Sequence, residues 1–195
     1  MEITAQDQKA ILQLIEQGVE ASAGKLAKIS RTQWEIRTTS MKAYAKPEDY
    51  AELNQPSQYF FGAYCQATGK MFLSYFTSRS AALLTQSFLA GSRRGLQATP
   101  QMQETAVIEV SNIVINAVAA SLADRCGMAF ILSAPKSVRG ARADILKAAF
   151  GDFVATGKIF SAYIHLASKE IAADCTLMLL LDDLIVNFIL NAIEP

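Results

Sequence analysis

The feature of this sequence that most constrains its fold is an order of predicted elements that occurs twice. Apolar residues at helical spacing predict a long helix over residues 7–30, and a second long helix is predicted over residues 100–125. Residues 71–89 and 175–193 are each predicted as a strand, a polar cap and a closing helix, 104 positions apart. The sequence therefore predicts a duplication of helix, strands and helix, with a hinge at residues 91–95.

The other elements follow from alternating apolar runs and from turn residues. Strands are predicted over residues 34–39, 59–76 (a hairpin that turns at 67–70), 129–133, 145–153 (with 146–150 ambiguous), 159–167 and 175–181. Polar segments are predicted as a connection over residues 46–57 and as a basic loop over residues 136–142. The predicted helix N-caps are Ser78, Thr99 (followed by Pro100) and Asp182 or Asp183.

These elements predict an α+β fold for a single domain of residues 1–195, made of pseudo-repeat halves 1–95 and 96–195. The two long helices are expected side by side on one face of a mostly antiparallel sheet. A chain of 195 residues is long enough to bury such a core without disulfides.

Charge and cysteine content limit the functional classes. The 18 basic and 18 acidic side chains balance, which argues against nucleic acid as the main partner. The three cysteines form no C-x-x-C pair, and the N-terminus shows no export signal. Both features predict that the protein is located in the reducing cytoplasm. The apolar stretches 106–123 and 176–193 contain polar or charged residues, so no membrane span is predicted.

Common enzyme signatures are incomplete. Gly18 and Gly24-Lys25 have the wrong spacing for a phosphate-binding loop, and a single histidine excludes a histidine-rich metal site, so no metal is predicted in this chain. A nucleophilic pair of Cys175 and His165 stays open, although no orienting motif surrounds His165.

One set of polar residues stands out in the second long helix. Thr105, Glu109, Asn112 and Asn116 are spaced by four, three and four positions, so their side chains share one face of the helix. Such a stripe is either the solvated edge of a core helix or a functional surface. Solvated edges are usually rich in lysine and arginine, and this helix has neither between Gln101 and Asp124.

The pattern Thr105-x3-Glu109-x2-Asn112-x22-Pro135 resembles the signature of the CheC and CheX family of chemotaxis phosphatases. In that signature the first position is Asp or Ser, and Glu, Asn and Pro follow at this spacing. The resemblance extends over nearly the whole chain, because the family is also built as a tandem repeat. It implies a CheC-like fold and hydrolysis of the aspartyl phosphate of a CheY-like response regulator in chemotaxis signalling.

The resemblance also implies roles for these residues. Asn112 would hold the attacking water, Glu109 would pair with the receiver's active-site lysine, and Thr105, Asn116 and Pro135 would support the site or the partner contact. No cofactor is expected in this chain, since Mg²⁺ would be held by the receiver. Basic residues after Pro135 would help steering or form a solvated loop: Lys136, Arg139 and Arg142.

The first half departs from the family pattern. Ile15-Glu16 lies 93 positions before Ile108-Glu109, and this pairing aligns Glu16 with Glu109. It leaves other residues at the remaining motif positions, namely Leu12, Val19 and Lys42. The sequence therefore predicts one working site, in the second half, and a catalytically silent first half.

Two other functions compete with the phosphatase. A non-catalytic module of the same fold would dock a receiver, a CheD-type deamidase or a flagellar switch protein. An oligomeric scaffold outside chemotaxis is expected if the motif is a coincidence. The apolar closing helix of residues 184–193 suits either a homodimer interface or an ordinary core.

Overall fold

A computed structural model describes residues 3–44, 58–90, 98–153, 155 and 157–193. This part of the chain contains five helices and six strands, so the predicted α+β class is confirmed. In chain order the elements are α1 (Ala5–Ser30), β1 (Glu35–Tyr44), β2 (Tyr59–Ala67), β3 (Lys70–Thr77), α2 (Ser78–Leu89), α3 (Pro100–Cys126), β4 (Lys136–Ala141), α4 (Arg142–Gly151), β5 (Ile159–Ser168), β6 (Ala173–Asp182) and α5 (Asp183–Ile193). The predicted hinge at 91–95 and connection at 46–57 lie outside the described residues.

The six strands form one antiparallel sheet in the order β1-β5-β6-β3-β2-β4. This order is unchanged when the strands of the first half are exchanged for those of the second and the sheet is read from its other edge. The β3 and β6 strands meet at the centre, and each edge strand pairs with the middle strand of the other half. The predicted duplicated halves are therefore confirmed, and they interlock through the sheet; the predicted boundary at residue 95 stays a prediction.

The two long helices begin and end at strong local signals. Thr4 and Asp7 form a capping box at the start of α1, and the Thr99 hydroxyl accepts from the Met102 N–H at the start of α3. Pro100 occupies the first turn of α3, where a missing N–H costs nothing. Gly127 ends α3 in the left-handed conformation that favours glycine.

The α1 and α3 helices lie side by side on one face of the sheet, as predicted, and pack closely. Gly18 permits this approach, because a Cβ atom there would lie 2.7 Å from the Cα of Val118. Every buried residue of α1 has a buried counterpart 96 positions later in α3, beginning with Ile11 and Val107. The structural repeat of the helices is therefore three residues out of step with the 93-residue spacing of the Ile-Glu pairs.

The sheet separates two apolar layers. The larger lies between the sheet and helices α1, α2, α3 and α5, with Phe72, Phe76 and Phe160 among its fully buried side chains. The smaller lies on the opposite face, where Leu146 and other residues of α4 cover part of the sheet. The larger layer packs against the inner side of α3, and the outer face of α3 is exposed to solvent.

Three of the predicted elements are wrong. Residues 145–153 were expected as a strand but belong mostly to α4, because Ile145, Leu146, Ala149 and Phe150 form one face of a helix. The expected basic loop at 136–142 is the edge strand β4 and the first residue of α4, and exposed charges are common on edge strands. Residues 129–133 form no strand, since a single main-chain bond, from the Ser133 N–H to the Gln66 oxygen, is described there and the Gln66 N–H donates to the Ser133 hydroxyl instead.

Each closing helix, α2 and α5, is capped by the last residue of the strand before it. The α2 helix is capped by the Thr77 hydroxyl, which accepts from the Ser80 N–H, rather than by Ser78. The α5 helix is capped by Asp182, whose carboxylate accepts from the Ile185 N–H at 2.9 Å. Both caps end a central strand, so strand and helix meet without a loop.

Candidate functional site

The polar stripe of α3 faces solvent. Thr105, Glu109 and Asn116 are exposed and Asn112 is half-buried, while residues on the other sides of the helix are buried in the core. The α3 helix is thus anchored on its apolar sides and presents these four side chains outward. A burial of Glu109 and Asn112 in the core would have excluded any reaction with a partner protein.

Asn112 and Asn116 are in direct contact. The Asn116 side-chain amide donates to the Asn112 side-chain oxygen at 2.8 Å and to the Asn112 main-chain oxygen at 2.8 Å. Both bonds span one helical turn, and the one to the side-chain oxygen restrains the Asn112 carboxamide against the helix. Asn112 is therefore an oriented amide rather than a freely rotating one.

Glu109 and Thr105 continue the stripe toward the N-terminus of α3. Within the described part of the chain, the Glu109 carboxylate forms no hydrogen bond or ion pair. The Thr105 hydroxyl donates to the Gln101 main-chain oxygen at 3.1 Å, which is a local bond of the helix. Glu109 is thus an exposed anion available to a cationic partner.

Pro135 lies just before β4 and is half-buried, and none of the described hydrogen bonds joins it to the stripe. The neighbouring strand is nevertheless tied to α3, because Glu104 accepts from the Ser137 hydroxyl and pairs with Arg139 at 3.8 Å. Pro135 directly precedes Lys136, the first residue of β4 that pairs with β2, and has no N–H with which to extend that pairing.

The basic residues near Pro135 already contact internal partners. Lys136 pairs with Asp152 at 2.5 Å, and the Arg142 guanidinium donates to the Tyr75 hydroxyl at 2.6 Å. Arg139 pairs with Glu104, and the side chains of Lys136 and Arg139 are both more than half exposed. These ion pairs lie at the surface and neutralise part of the local positive charge.

The first half carries a polar stripe at the equivalent positions, Lys9, Gln13, Glu16 and Glu20, but not the Glu–Asn pair. The 96-residue repeat of α1 and α3 places Gln13 at the position of Glu109, and Glu16 at that of Asn112. Glu16 accepts from the Thr39 hydroxyl at 2.6 Å and so is held by β1. Val19, expected at the asparagine position, is instead 1% exposed and corresponds to the buried Ile115.

A groove that the sequence did not predict adjoins the stripe. It is a cavity of about 390 Å³ between the end of α2 and the start of α3. We call it the α2/α3 groove, and its lining includes Phe88, Leu89, Met102, Thr105, Ala106 and Glu109. Two members of the polar stripe therefore also form the wall of an apolar cavity.

Other candidate chemistry is not supported. Cys175 is buried on the helix-covered face of the sheet, and burial raises the pKa of its thiol to about 12. His165 pairs with Thr176, the next residue of β6, and so lies on the opposite face. The described residues include no group of three or more His, Cys, Asp or Glu that could hold a metal ion.

One described helix, α3, is long and apolar enough to cross a membrane by length and composition alone. Half of its most apolar window is buried against the rest of the protein. Core helices of this kind meet the same criterion, and α3 packs against α1, α2 and β2. All three cysteines are free and buried.

The sequence matches no protein-family model and no curated protein. Among solved structures, FliY of Thermotoga maritima is similar over 98% of both chains, with 14% identity and a TM-score of 0.70. The FliM middle domain from H. pylori covers 98% of this chain and 100% of its own, at 10% identity and a TM-score of 0.66, and H. pylori FliM is also known in a complex with FliG. A CheX from Desulfovibrio desulfuricans covers 87% of this chain and 99% of its own, at 13% identity and a TM-score of 0.52.

These likenesses show that the chain has the CheC-like fold, as the resemblance implied. At 10–14% identity they show the fold and not the activity. The fold occurs in chemotaxis proteins and in FliY and FliM, so function has to be argued from the site.

Proposed function

We propose that the chain is a cytoplasmic phosphatase that hydrolyses the aspartyl phosphate of a CheY-like receiver domain in chemotaxis signalling. The observation that carries the proposal is the pairing of Glu109 and Asn112 one turn apart on the solvent face of a rigidly packed helix. The phosphorylated aspartate belongs to the receiver, so the receiver would have to dock on this exposed face for Asn112 to reach the phosphoryl group.

Asn112 supplies the catalytic group. A carboxamide can donate to one atom and accept from another, so it can hold a water molecule in line with phosphorus, as glutamine does in GTPases. The bond from Asn116 restricts the Asn112 side chain before any partner arrives. Less rotational freedom is then lost in the transition state.

Glu109 supplies the docking contact. Its exposed carboxylate, which has no hydrogen-bond or ion-pair partner among the described residues, would form a charge-assisted hydrogen bond with the receiver's active-site lysine. This bond would fix the register in which Asn112 enters the receiver's site. The Mg²⁺ ion would be held by acidic residues of the receiver, and this chain would contribute no metal ligand.

A second candidate is a non-catalytic module that docks a receiver, a CheD-type deamidase or a flagellar switch protein. Similarity to the FliM middle domain over nearly its whole length favours it, with a TM-score of 0.66 against 0.52 for CheX. H. pylori FliM has been crystallised with FliG, which would make a switch protein the partner in this case. The two candidates share the exposed face and differ in whether Asn112 reaches a water.

Substitutions on α3 test the proposal. Asn112→Ala is expected to lower kcat for phosphate release on the order of a hundredfold, because the water loses its orienting group. Glu109→Ala is expected to raise KM and to reduce the dependence of KM on salt, because it removes the docking charge. Gln13→Ala, at the equivalent position of α1, is the matched control and should leave both constants unchanged.

The proposal fails if Asn112→Ala retains the kcat of the wild type. If neither protein accelerates phosphate loss but a receiver binds, the non-catalytic module is the correct function.

A further inference from the structure

We propose that the α2/α3 groove is the specificity site for the receiver, which inserts a large apolar side chain beside one of its own basic residues. This inference rests on the proposed function, because it names how the same partner is recognised next to the catalytic pair. The groove has a volume of about 390 Å³, enough for one large apolar side chain with its neighbours.

The floor of the groove contains apolar side chains that lie outside the core clusters of the described residues. Leu89 and Met102 are half-buried, yet neither belongs to the two core clusters of the described residues. Phe88, beside them, is packed against the larger core. The first two side chains therefore expose apolar surface that a partner can remove from water.

Continuity with the catalytic face indicates which partner covers the groove. Thr105 and Glu109 line the groove and also belong to the polar stripe, and Asn112 lies one turn beyond Glu109. A receiver close enough for Asn112 to reach its phosphoryl group must therefore lie over the mouth of the groove. A binding site elsewhere on the protein would lack this geometric link.

Charge indicates the chemistry of the inserted segment. Among the described residues that line the groove, Glu109 is the one that carries a charge. The carboxylate favours a segment in which a lysine or arginine stands next to the apolar side chain. A second copy of this chain fits poorly, because a symmetric contact would bring two Glu109 carboxylates together.

Polar substitutions of the groove test the inference. Met102→Gln and Leu89→Gln keep the side-chain volume and the helix propensity but remove the apolar surface. Each is expected to raise KM and the Kd for a receiver loaded with beryllofluoride, a phosphate mimic, about fivefold, and the double variant about twentyfold or more. The loss should fall on KM while kcat at saturation and the salt dependence of KM are retained.

Leu184→Gln is the matched control, because Leu184 is an apolar residue of α5 that is 61% exposed and lies outside the groove. It should leave both KM and Kd unchanged. A loss equal to that of the groove variants would overturn the inference, because any polar substitution of an exposed apolar residue would then weaken binding.

The result separates the two proposals. If Asn112→Ala abolishes turnover but the groove variants keep the wild-type KM and Kd, the groove inference is wrong and the phosphatase stands. If no receiver is dephosphorylated but the groove variants weaken the binding of one, the groove inference stands and the enzyme is wrong. If the wild type binds no receiver, both are wrong.

Discussion

The contact between α1 and α3 can be tested by giving a side chain to Gly18. A Cβ atom at this position would lie 2.7 Å from the Val118 Cα and 3.0 Å from the Ser121 Cβ. The first distance is shorter than real Cβ contacts, and the obstructing atom is main chain, so the helices must move apart. Overpacking of this kind typically costs about 1–3 kcal/mol, and alanine regains about 1 kcal/mol over glycine in helix propensity.

We therefore expect Gly18→Ala to lower the free energy of unfolding by up to about 2 kcal/mol. Gly24→Ala is the matched control in the same helix, because no atom lies within 4 Å of a Cβ atom there. It should raise the free energy of unfolding by about 1 kcal/mol through helix propensity alone. The two variants should differ by about 1–3 kcal/mol, the cost of overpacking alone.

Urea unfolding followed by circular dichroism measures this difference, provided that the m-values of both variants equal that of the wild type. Equal stability of the two variants would refute the close packing of α1 on α3. It would also remove the reason why α3 holds its polar stripe in a fixed orientation.

Three further predictions concern the site and the core. Asn116→Ala should lower kcat for phosphate release about threefold to tenfold, a smaller drop than in Asn112→Ala, because the Asn112 amide loses one restraining bond. Stopped-flow phosphate release measures kcat, and an unchanged value would contradict the prediction. Burial raises the pKa of the Cys175 thiol from 9.0 to about 12, so above pH 9 the thiol ionises in the unfolded chain first and the free energy of unfolding falls with pH. In chemical unfolding, Cys175→Ala should reduce this fall by up to about 1.4 kcal/mol per pH unit. An identical pH slope in the variant would be inconsistent with this prediction. A thiol reagent should react slowly with the native chain and rapidly with three thiols after denaturation, because all three cysteines are buried. Immediate reaction of any thiol in the native chain would count against the fold.

Much of the fold could be predicted because its signals are local. The long helices follow from apolar spacing and from Thr99-Pro100, and the hairpin follows from Gly69, which adopts a positive φ of 69°. The α4 helix could not be predicted as easily, because two pairs of apolar residues four positions apart also fit a short buried strand. The edge strand β4 was missed because its charged residues resemble a loop when its pairing with β2 is unknown.

The candidate site was predictable only in part. Glu109, Asn112 and Asn116 share a helix, so their spacing alone predicts a common face. The predicted alignment of the two halves was wrong by three residues. It matched the Ile-Glu pairs, which are 93 positions apart, whereas the buried residues of α1 and α3 repeat every 96 positions. The α2/α3 groove was missed because it forms where the ends of two different helices meet, and no local pattern records that contact.

The most direct test of the central claim is turnover on the proposed substrate. Phosphate release is measured from CheY-like receivers that carry the aspartyl phosphate, with the chain present at one part per hundred of receiver. This catalytic amount of the wild type is expected to remove all of the phosphate faster than spontaneous loss, and the same amount of Asn112→Ala is not. Binding of a receiver without any acceleration by the wild type would contradict this expectation.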